Sequence, residues 1–291
     1  MTEWLIRFGV WLLSWIARAP YRMVKALGEF SGTLAWSLAG RRRNIALTNL
    51  RLCLPELSES SRRRIAEQHF RFFMRSFFER FIFWFGSERR IRSLVSFEGL
   101  ELFEALRGQP VILLAPHFCG IDAGGIRLQL ESPFASMYAN QKSKVLTRAM
   151  TQGRTRFPGS KMFLRNDGLR GAIRALRAGV PFYFLPDMDL GPRDAVFVPF
   201  FGVTAATVTS VERLARLTNA QVLPLVTTMT STGYIAKFFP PWQPSPDASL
   251  EQTARDMNVF IEQRVMEMPA QYLWTHKRFK TRPPGQASLY S

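Results

Sequence analysis

The feature that most constrains the fold is a regular alternation of short apolar segments with amphipathic ones between residues 94 and 268. The apolar segments are rich in β-branched and aromatic residues, which is typical of buried strands. They are Val95–Phe97, Val111–Ala115, Ala135–Tyr138, Phe182–Leu185, Gln221–Val226 and Tyr234–Phe238. The segments between them predict helices at Leu100–Leu106, Ile121–Leu130, Lys144–Arg156, Leu169–Arg177, Val208–Leu217 and Leu250–Met268. This alternation predicts an α/β domain whose largely parallel central sheet is covered by helices on both faces.

The N-terminal region has a different character, because its apolar segments are interrupted by basic residues. Phe8–Ala17 is apolar throughout but shorter than the roughly 20 residues that a simple membrane span requires. Met23–Leu38 is moderately apolar, and Arg41, Arg42 and Arg43 follow it. We expect two short helices, hinged near Pro20, that lie in a membrane interface with the arginines facing anionic lipid on the cytoplasmic side. A single tilted span is the alternative.

A long helix is expected next, at Ser58–Phe85, where phenylalanines recur at three- and four-residue spacing. Most of these aromatic side chains fit a packed helix face, and the excess could contact lipid or an acyl chain. The chain is thus predicted to divide into an N-terminal membrane-associated helical segment, residues 1–43, and an α/β domain, residues 44–291.

The charge indicates an anionic partner. The sequence holds 39 Lys and Arg residues against 22 Asp and Glu residues, which gives a formal net charge of +17. Its 25 phenylalanines cluster with arginines, which favours a membrane over nucleic acid as that partner. The two cysteines, Cys53 and Cys119, match no metal-ligand spacing and suggest a reducing compartment. A metal site is not predicted.

The most informative motif is His117 followed five residues later by Asp122. His117 follows the predicted strand Val111–Ala115, and Asp122 falls in the first turn of the predicted helix. A carboxylate there can accept a hydrogen bond from one imidazole nitrogen and leave the other nitrogen free to take a proton. A turn histidine beside a helix-capping aspartate is the structural alternative. Cys119 is a conceivable nucleophile, although its position on a tight turn favours packing.

Several stretches together make the chain similar to the glycerolipid acyltransferase superfamily, and specifically to its late lipid A acyltransferases. The first and the fourth stretch below are not specific on their own, whereas the third stretch and the C-terminal one are long and specific. The stretches are His117-x4-Asp122, Phe163–Asn166, Pro186–Arg193 continuing into Val196–Gly202, Leu223–Leu225, and Gln271–Pro283. The resemblance covers essentially the whole chain.

This resemblance implies transfer of a fatty acyl group from acyl carrier protein to a hydroxyl of a lipid A precursor. It also implies residence on the cytoplasmic face of the bacterial inner membrane, with no metal and no redox cofactor. Within that reaction we assign His117 as the general base toward the acceptor hydroxyl and Asp122 as the residue that orients its ring. No acyl-enzyme is required.

Four further residues are candidates for substrate binding. Arg165 and Arg193 suit phosphates of the acceptor or of the carrier's phosphopantetheine, and Arg165 could instead stabilise the oxyanion. Asp187 and Asp189 could bind sugar hydroxyls or hold Arg193 in place. His69 and His276 are interpreted as packing residues.

Two other functions remain open. The same chemistry could act on a lysophospholipid or another glycolipid. Alternatively, the chain could be a basic, non-catalytic membrane-binding protein, which would account for the charge and the N-terminus but not for His117, Asp122 and the Pro186–Arg193 stretch together.

Overall fold

The computed structural model describes residues 3–139, 143–245 and 247–290. Helices precede the sheet, and the predicted hinge at Pro20 separates the first two. They are α1 (Glu3–Ser14), α2 (Tyr21–Leu38), α3 (Gly40–Cys53), α4 (Glu59–Phe85) and α5 (Glu88–Leu94), with a 3-10 turn at Trp15–Arg18 after α1. The side chain of Ser58 caps the long helix α4 by accepting a hydrogen bond from the backbone N–H of Ser61. Among the described residues, no helix combines the length and apolar character needed to cross a bilayer.

The N-terminal helices pack closely against the rest of the molecule. A Cβ atom at Gly28 of α2 would lie 2.5 Å from the Cα of Arg75 in α4, so the two backbones are in close contact. Helix α3 runs continuously across residue 43, where the predicted segment boundary falls. Arg42 and Arg43, expected to face lipid, donate hydrogen bonds to the carbonyls of Thr275 and Trp36, and Arg42 stays exposed.

The rest of the described chain alternates strands with helices. The sheet region contains β1 (Val95–Glu98), α6 (Leu100–Glu104), β2 (Val111–Leu114), α7 (Ile121–Gln129), β3 (Ala135–Tyr138), α8 (Lys144–Arg154), β4 (Lys161–Leu164), α9 (Arg170–Arg177), β5 (Phe182–Phe184), β6 (Ala195–Phe200), β7 (Val203–Val208), α10 (Ser210–Thr218), β8 (Gln221–Met229), β9 (Tyr234–Phe238) and α11 (Leu250–Glu267). Seven strands form one sheet in the order β1-β9-β8-β2-β5-β3-β4, and β6 and β7 form a separate hairpin. The predicted α/β class is confirmed, although α3, α5, β4 and the hairpin were not predicted.

Strands β8, β2, β5, β3 and β4 run parallel, whereas β9 is antiparallel to β8. Successive residues of β2 point to opposite faces of the sheet, as strand geometry requires. Ile112 and Leu114 pack in a core with α9, α10 and α11, and Val111 and Leu113 pack in a second core with α7 and the C-terminal half of α4. The sheet is therefore covered on both faces.

The carboxyl ends of the five parallel strands meet at one edge of the sheet. His117 follows β2 at this edge, Asp187 follows β5, and Arg165 follows β4. Side chains just beyond such strand ends commonly form the binding site of an open α/β sheet. Helix α7 starts here and lies directly on β8, because a Cβ atom at Gly124 would be only 2.0 Å from Oγ1 of Thr227. This close packing fixes the turn that carries His117.

Candidate active site

His117 is held by Asp187. Its Nδ1 lies 2.7 Å from Oδ1 of Asp187, and its backbone N–H donates to Oδ2 of the same carboxylate at 2.9 Å. Burial alone would raise the pKa of Asp187, but the contacts with His117 and the more distant Arg278 outweigh it and lower this pKa below its usual range. The carboxylate is therefore ionised.

An ionised carboxylate can only accept hydrogen bonds, so Nδ1 of His117 must carry the proton. In the neutral ring, Nε2 is then the nitrogen with the free lone pair. The imidazole is 18% exposed, and no described residue forms a hydrogen bond with Nε2. The site thus contains an oriented, accessible nitrogen base.

The predicted pairing of His117 with Asp122 is wrong in this structure. Oδ2 of Asp122 accepts a hydrogen bond of 2.5 Å from Arg80 of α4, and Oδ1 accepts one of 2.9 Å from Arg154 of α8. Burial would raise the pKa of Asp122, but the two guanidinium groups lower it to about 2. Asp122 does occupy the first turn of α7, as expected. There it connects α7 to α4 and α8 instead of orienting the imidazole.

The Pro186–Arg193 stretch and the C-terminal stretch, both singled out from the sequence, pack against each other beside His117. The backbone N–H of Leu273 donates to the carbonyl of His117 at 3.0 Å, and that of Cys119 donates to the carbonyl of Gln271 at 2.8 Å. Burial and the nearby charge of Asp187 raise the pKa of Tyr272. The C-terminal segment therefore fixes the turn that carries His117, which spacing along the sequence did not reveal.

Asp189 has a structural place in this arrangement. Its buried carboxylate accepts hydrogen bonds from the backbone N–H and the hydroxyl of Thr281, at 2.6 and 2.7 Å. Its own N–H donates to Nε2 of His276 at 2.9 Å, and burial lowers the pKa of His276 to about 4, so that ring is neutral. Asp189 was predicted to bind substrate or hold Arg193; no described contact joins it to Arg193, and substrate binding stays a prediction. His276 is a packing residue, as interpreted.

The two candidate arginines are exposed. Arg165 lies in a 3-10 turn after the carboxyl end of β4, three strands from β2 and so about 14 Å away across the sheet. Arg193 is 96% exposed and lies 3.9 Å from the carboxylate of its neighbour Asp194. Asp187, which was expected to bind sugar or hold Arg193, is engaged with His117 instead. The structure brings neither arginine into contact with the imidazole.

Cys119 is poorly suited to act as a nucleophile. Although the residue keeps some exposure, burial of the thiol raises its pKa to about 12. A thiol needs to ionise readily to attack a thioester. The described residues also contain no group of three or more His, Cys, Asp or Glu side chains that could hold a metal ion.

A largely apolar pocket opens beside Asp122, between α7 and strands β3 and β5, with about 440 Å³ of free space including its open mouth. Its wall includes Ile126, Met137, Met162 and Leu185. Phe134 and Tyr183 also line it, and their rings stack with centroids 5.0 Å apart. Sequence reasoning did not locate this pocket, because its lining comes from separate segments of the chain.

Comparison with known proteins agrees with the resemblance seen in the motifs. The sequence model of the family described as bacterial lipid A biosynthesis acyltransferase matches residues 1–281. The lipid A biosynthesis lauroyltransferase of Escherichia coli K12 is 34% identical over 99% of this chain and 95% of its own length. The palmitoleoyltransferase of the same strain is 33% identical over 99% of this chain and 94% of its own.

Among solved structures, the chain is similar to the 1-acyl-sn-glycerophosphate acyltransferase of Thermotoga maritima. The TM-score is 0.42 at 17% identity, over 85% of this chain and 97% of that one, a likeness too distant to inform the site. The family match and the near-complete coverage of the curated relatives are much stronger. The chain therefore belongs to the bacterial lipid A biosynthesis acyltransferases, and it is an acyltransferase enzyme.

Proposed function

We propose that the enzyme transfers a fatty acyl chain from the thioester of acyl carrier protein to a hydroxyl of a lipid A precursor, with His117 as general base. One observation carries this proposal: the hydrogen bond from Nδ1 of His117 to Asp187, which leaves Nε2 free at the carboxyl edge of the sheet. An imidazole nitrogen with a free lone pair suits the removal of a proton from a hydroxyl under attack.

In the proposed reaction, Nε2 takes the proton of the acceptor hydroxyl as its oxygen attacks the thioester carbonyl. Asp187 stabilises the imidazolium that forms. The tetrahedral intermediate then expels the carrier's thiolate, to which the imidazolium returns the proton. The products are the acylated lipid and the free carrier thiol. No acyl-enzyme is needed, which agrees with the raised pKa of Cys119.

The apolar pocket supports a fatty acyl donor. Its wall is mostly apolar, as a hydrocarbon chain requires. Each methylene buried against such a wall contributes about 0.8 kcal/mol, so a long chain would be bound chiefly through its tail. No metal or redox cofactor is part of the proposed mechanism.

The exposed apolar side chains of the N-terminal helices support a location at the cytoplasmic face of the inner membrane. Along α2, large apolar side chains recur at helical spacing on one face and stay exposed: Met23, Leu27, Phe30, Leu34 and Leu38. Helix α1 adds Trp4, Phe8 and Trp11, and α4 adds Phe73 and Phe77. A face of this kind binds in the interface of a bilayer.

The net charge of +17 supports anionic partners on both sides of the reaction. The lipid A precursor and the membrane surface carry phosphates, and acyl carrier protein is acidic. Arg165 and Arg193, exposed near the carboxyl edge, are proposed to contact phosphates of the acceptor or of the carrier's arm.

The test is transfer by the full chain purified in detergent, with acyl carrier protein loaded with a fatty acyl thioester. Lipid A precursor and a lysophospholipid would be offered as competing acceptors and the products weighed by mass spectrometry. We expect the lipid A precursor to gain one acyl chain, and His117→Ala to remove that gain. Acylation of the lysophospholipid alone would refute the proposed acceptor, and transfer undiminished in His117→Ala would refute the base.

A further inference from the structure

Helix α9 presents a row of arginines to the outside of the molecule. Arg170, Arg174 and Arg177 are exposed and lie on one side of the helix, since residues four and seven apart share a face. The opposite side of α9 buries Ala172 and Leu176 in the core. Arg170 and Arg174 have no hydrogen bond or ion pair with any described residue, whereas Arg177 donates to the carbonyl of Leu217. Two guanidinium groups are therefore free for an external anion.

The row leads toward the catalytic edge of the sheet. Helix α9 begins just after the 3-10 turn that follows β4, so Arg170 lies at the edge where His117 is found. The far end of the helix approaches the opposite edge, because Gly179 lies against Gly108, which precedes β2. The helix is about 12 Å long. A partner bound along it would thus have one end close to the carboxyl ends of the strands.

Two kinds of anionic partner, a membrane and an acidic protein, could bind arginines, and the setting of α9 favours the protein. Surfaces that bind in a bilayer interface combine cations with large apolar side chains. The exposed face of α9 carries arginines without them, whereas the exposed aromatic residues lie on α1, α2 and α4. Leu13 of α1 packs in the core that contains α7, on the other face of the sheet from α9, whereas Trp36 of α2 and Phe70 of α4 pack in the same core as α9.

We propose that the Arg170–Arg174 face of α9 is the docking surface for the acidic carrier protein that brings the acyl thioester. This inference rests on the proposed function and adds where its donor binds. Acidic side chains of the carrier pair with the free arginines, and the carrier's thioester arm extends along the helix to the catalytic edge. The acceptor lipid approaches along the exposed aromatic side chains of α1, α2 and α4.

The experiment compares two donors in the double variant Arg170→Glu, Arg174→Glu. One donor is acyl carrier protein loaded with a dodecanoyl chain, and the other is dodecanoyl-pantetheine, which has the thioester but no protein. We expect the KM for the carrier to rise about tenfold or more, because charge reversal across an interface turns attraction into repulsion. The pantetheine donor should change less than twofold. Added salt should raise the KM of the unmodified enzyme for the carrier and leave the KM of the variant nearly unchanged.

The matched control is Arg107→Glu, an exposed arginine in the turn between α6 and β2, at the opposite edge of the sheet. It makes the same charge reversal at one site, half the total change of the double variant, and should leave the KM for the carrier unaltered. The pair Arg170→Lys, Arg174→Lys should retain most of the affinity. Thermal melting of every variant checks that the fold is kept.

Three results would overturn the inference. One is an unchanged carrier KM in the Glu variant when the unmodified enzyme uses the carrier normally. Another is a Glu variant that no longer floats with phosphatidylglycerol vesicles while its KM for the carrier is unchanged. That result would mean that the arginines bind lipid. If the unmodified enzyme transfers from pantetheine but never from the carrier, the proposed donor itself is wrong and the docking surface falls with it.

Discussion

Two aspartates at the carboxyl edge of the sheet have opposite kinds of partner. Asp187 pairs with His117, an imidazole that is able to accept and release a proton. Asp122 pairs with Arg80 and Arg154, whose charges are permanent. A carboxylate beside a titrating ring can stabilise its charged form during a reaction, whereas one between two guanidinium groups can only hold their helices in place. Position near a strand end therefore does not by itself assign a catalytic role.

The largest expected effect is that of His117→Ala. Loss of a general base typically lowers turnover by 10²–10⁴-fold, and we expect about a thousandfold loss of kcat. The measurement is the initial rate with saturating donor and acceptor. Cys119→Ala is the matched control on the same turn and should retain most activity. A Cys119→Ala variant as inactive as His117→Ala would instead point to an acyl-enzyme.

Asp187→Asn should come next and tests the comparison directly. The amide can donate to Nδ1, which allows the ring to adopt the wrong tautomer, and it cannot stabilise an imidazolium. We expect kcat to fall about a hundredfold or more with little change in KM, while Asp122→Asn loses much less kcat. If both variants are folded and Asp122→Asn loses more kcat than Asp187→Asn, then Asp122 would be the residue that orients the ring.

The sequence was sufficient to predict the α/β class and the position of His117 at the carboxyl edge of the sheet. It also predicted the bounds of five strands, β1, β2, β3, β5 and β9, to within two residues. Strand β2 was clear because all four of its residues are apolar and buried. Strand β4 was missed because Lys161–Leu164 is only partly buried at the sheet edge and starts with a lysine. Periodicity carries little signal in so short a strand.

The partner of His117 could not be deduced from spacing. Asp187 lies 70 residues away in sequence and reaches the imidazole only because β5 pairs with β2 in the sheet. Asp122 lies closer along the chain, but Arg80 and Arg154 come from helices whose placement no local pattern gives. The motif resemblance did mark Pro186–Arg193 and Gln271–Pro283, the two stretches that pack beside His117. It could not say that they bind each other.

Asp122→Asn should act mainly on stability. The pKa of Asp122 is lowered to about 2 in the folded protein, against 3.8 ordinarily. This difference is worth about 2 kcal/mol of unfolding free energy, present above the ordinary pKa and lost as the pH falls through the folded one. Urea unfolding between pH 6 and pH 2 should show that the variant starts less stable and loses less on acidification. Equal pH dependence in both proteins would show that the arginines do not stabilise the carboxylate.

The smallest effect is expected for Arg154→Lys, which separates charge from geometry at Asp122. Lysine keeps the positive charge but replaces the two guanidinium nitrogens that face Oδ1, at 2.9 Å each, by a single ammonium group. If attraction between charges dominates, the free energy of unfolding should fall by less than about 1 kcal/mol. The pH range in which acid lowers this free energy should then stay unchanged. Arg154→Met removes the charge and should move that pH range to higher pH, because the pKa of Asp122 would rise. A lysine variant as destabilised as the methionine one would mean that the guanidinium geometry, which fixes α8 against α7, matters more than its charge.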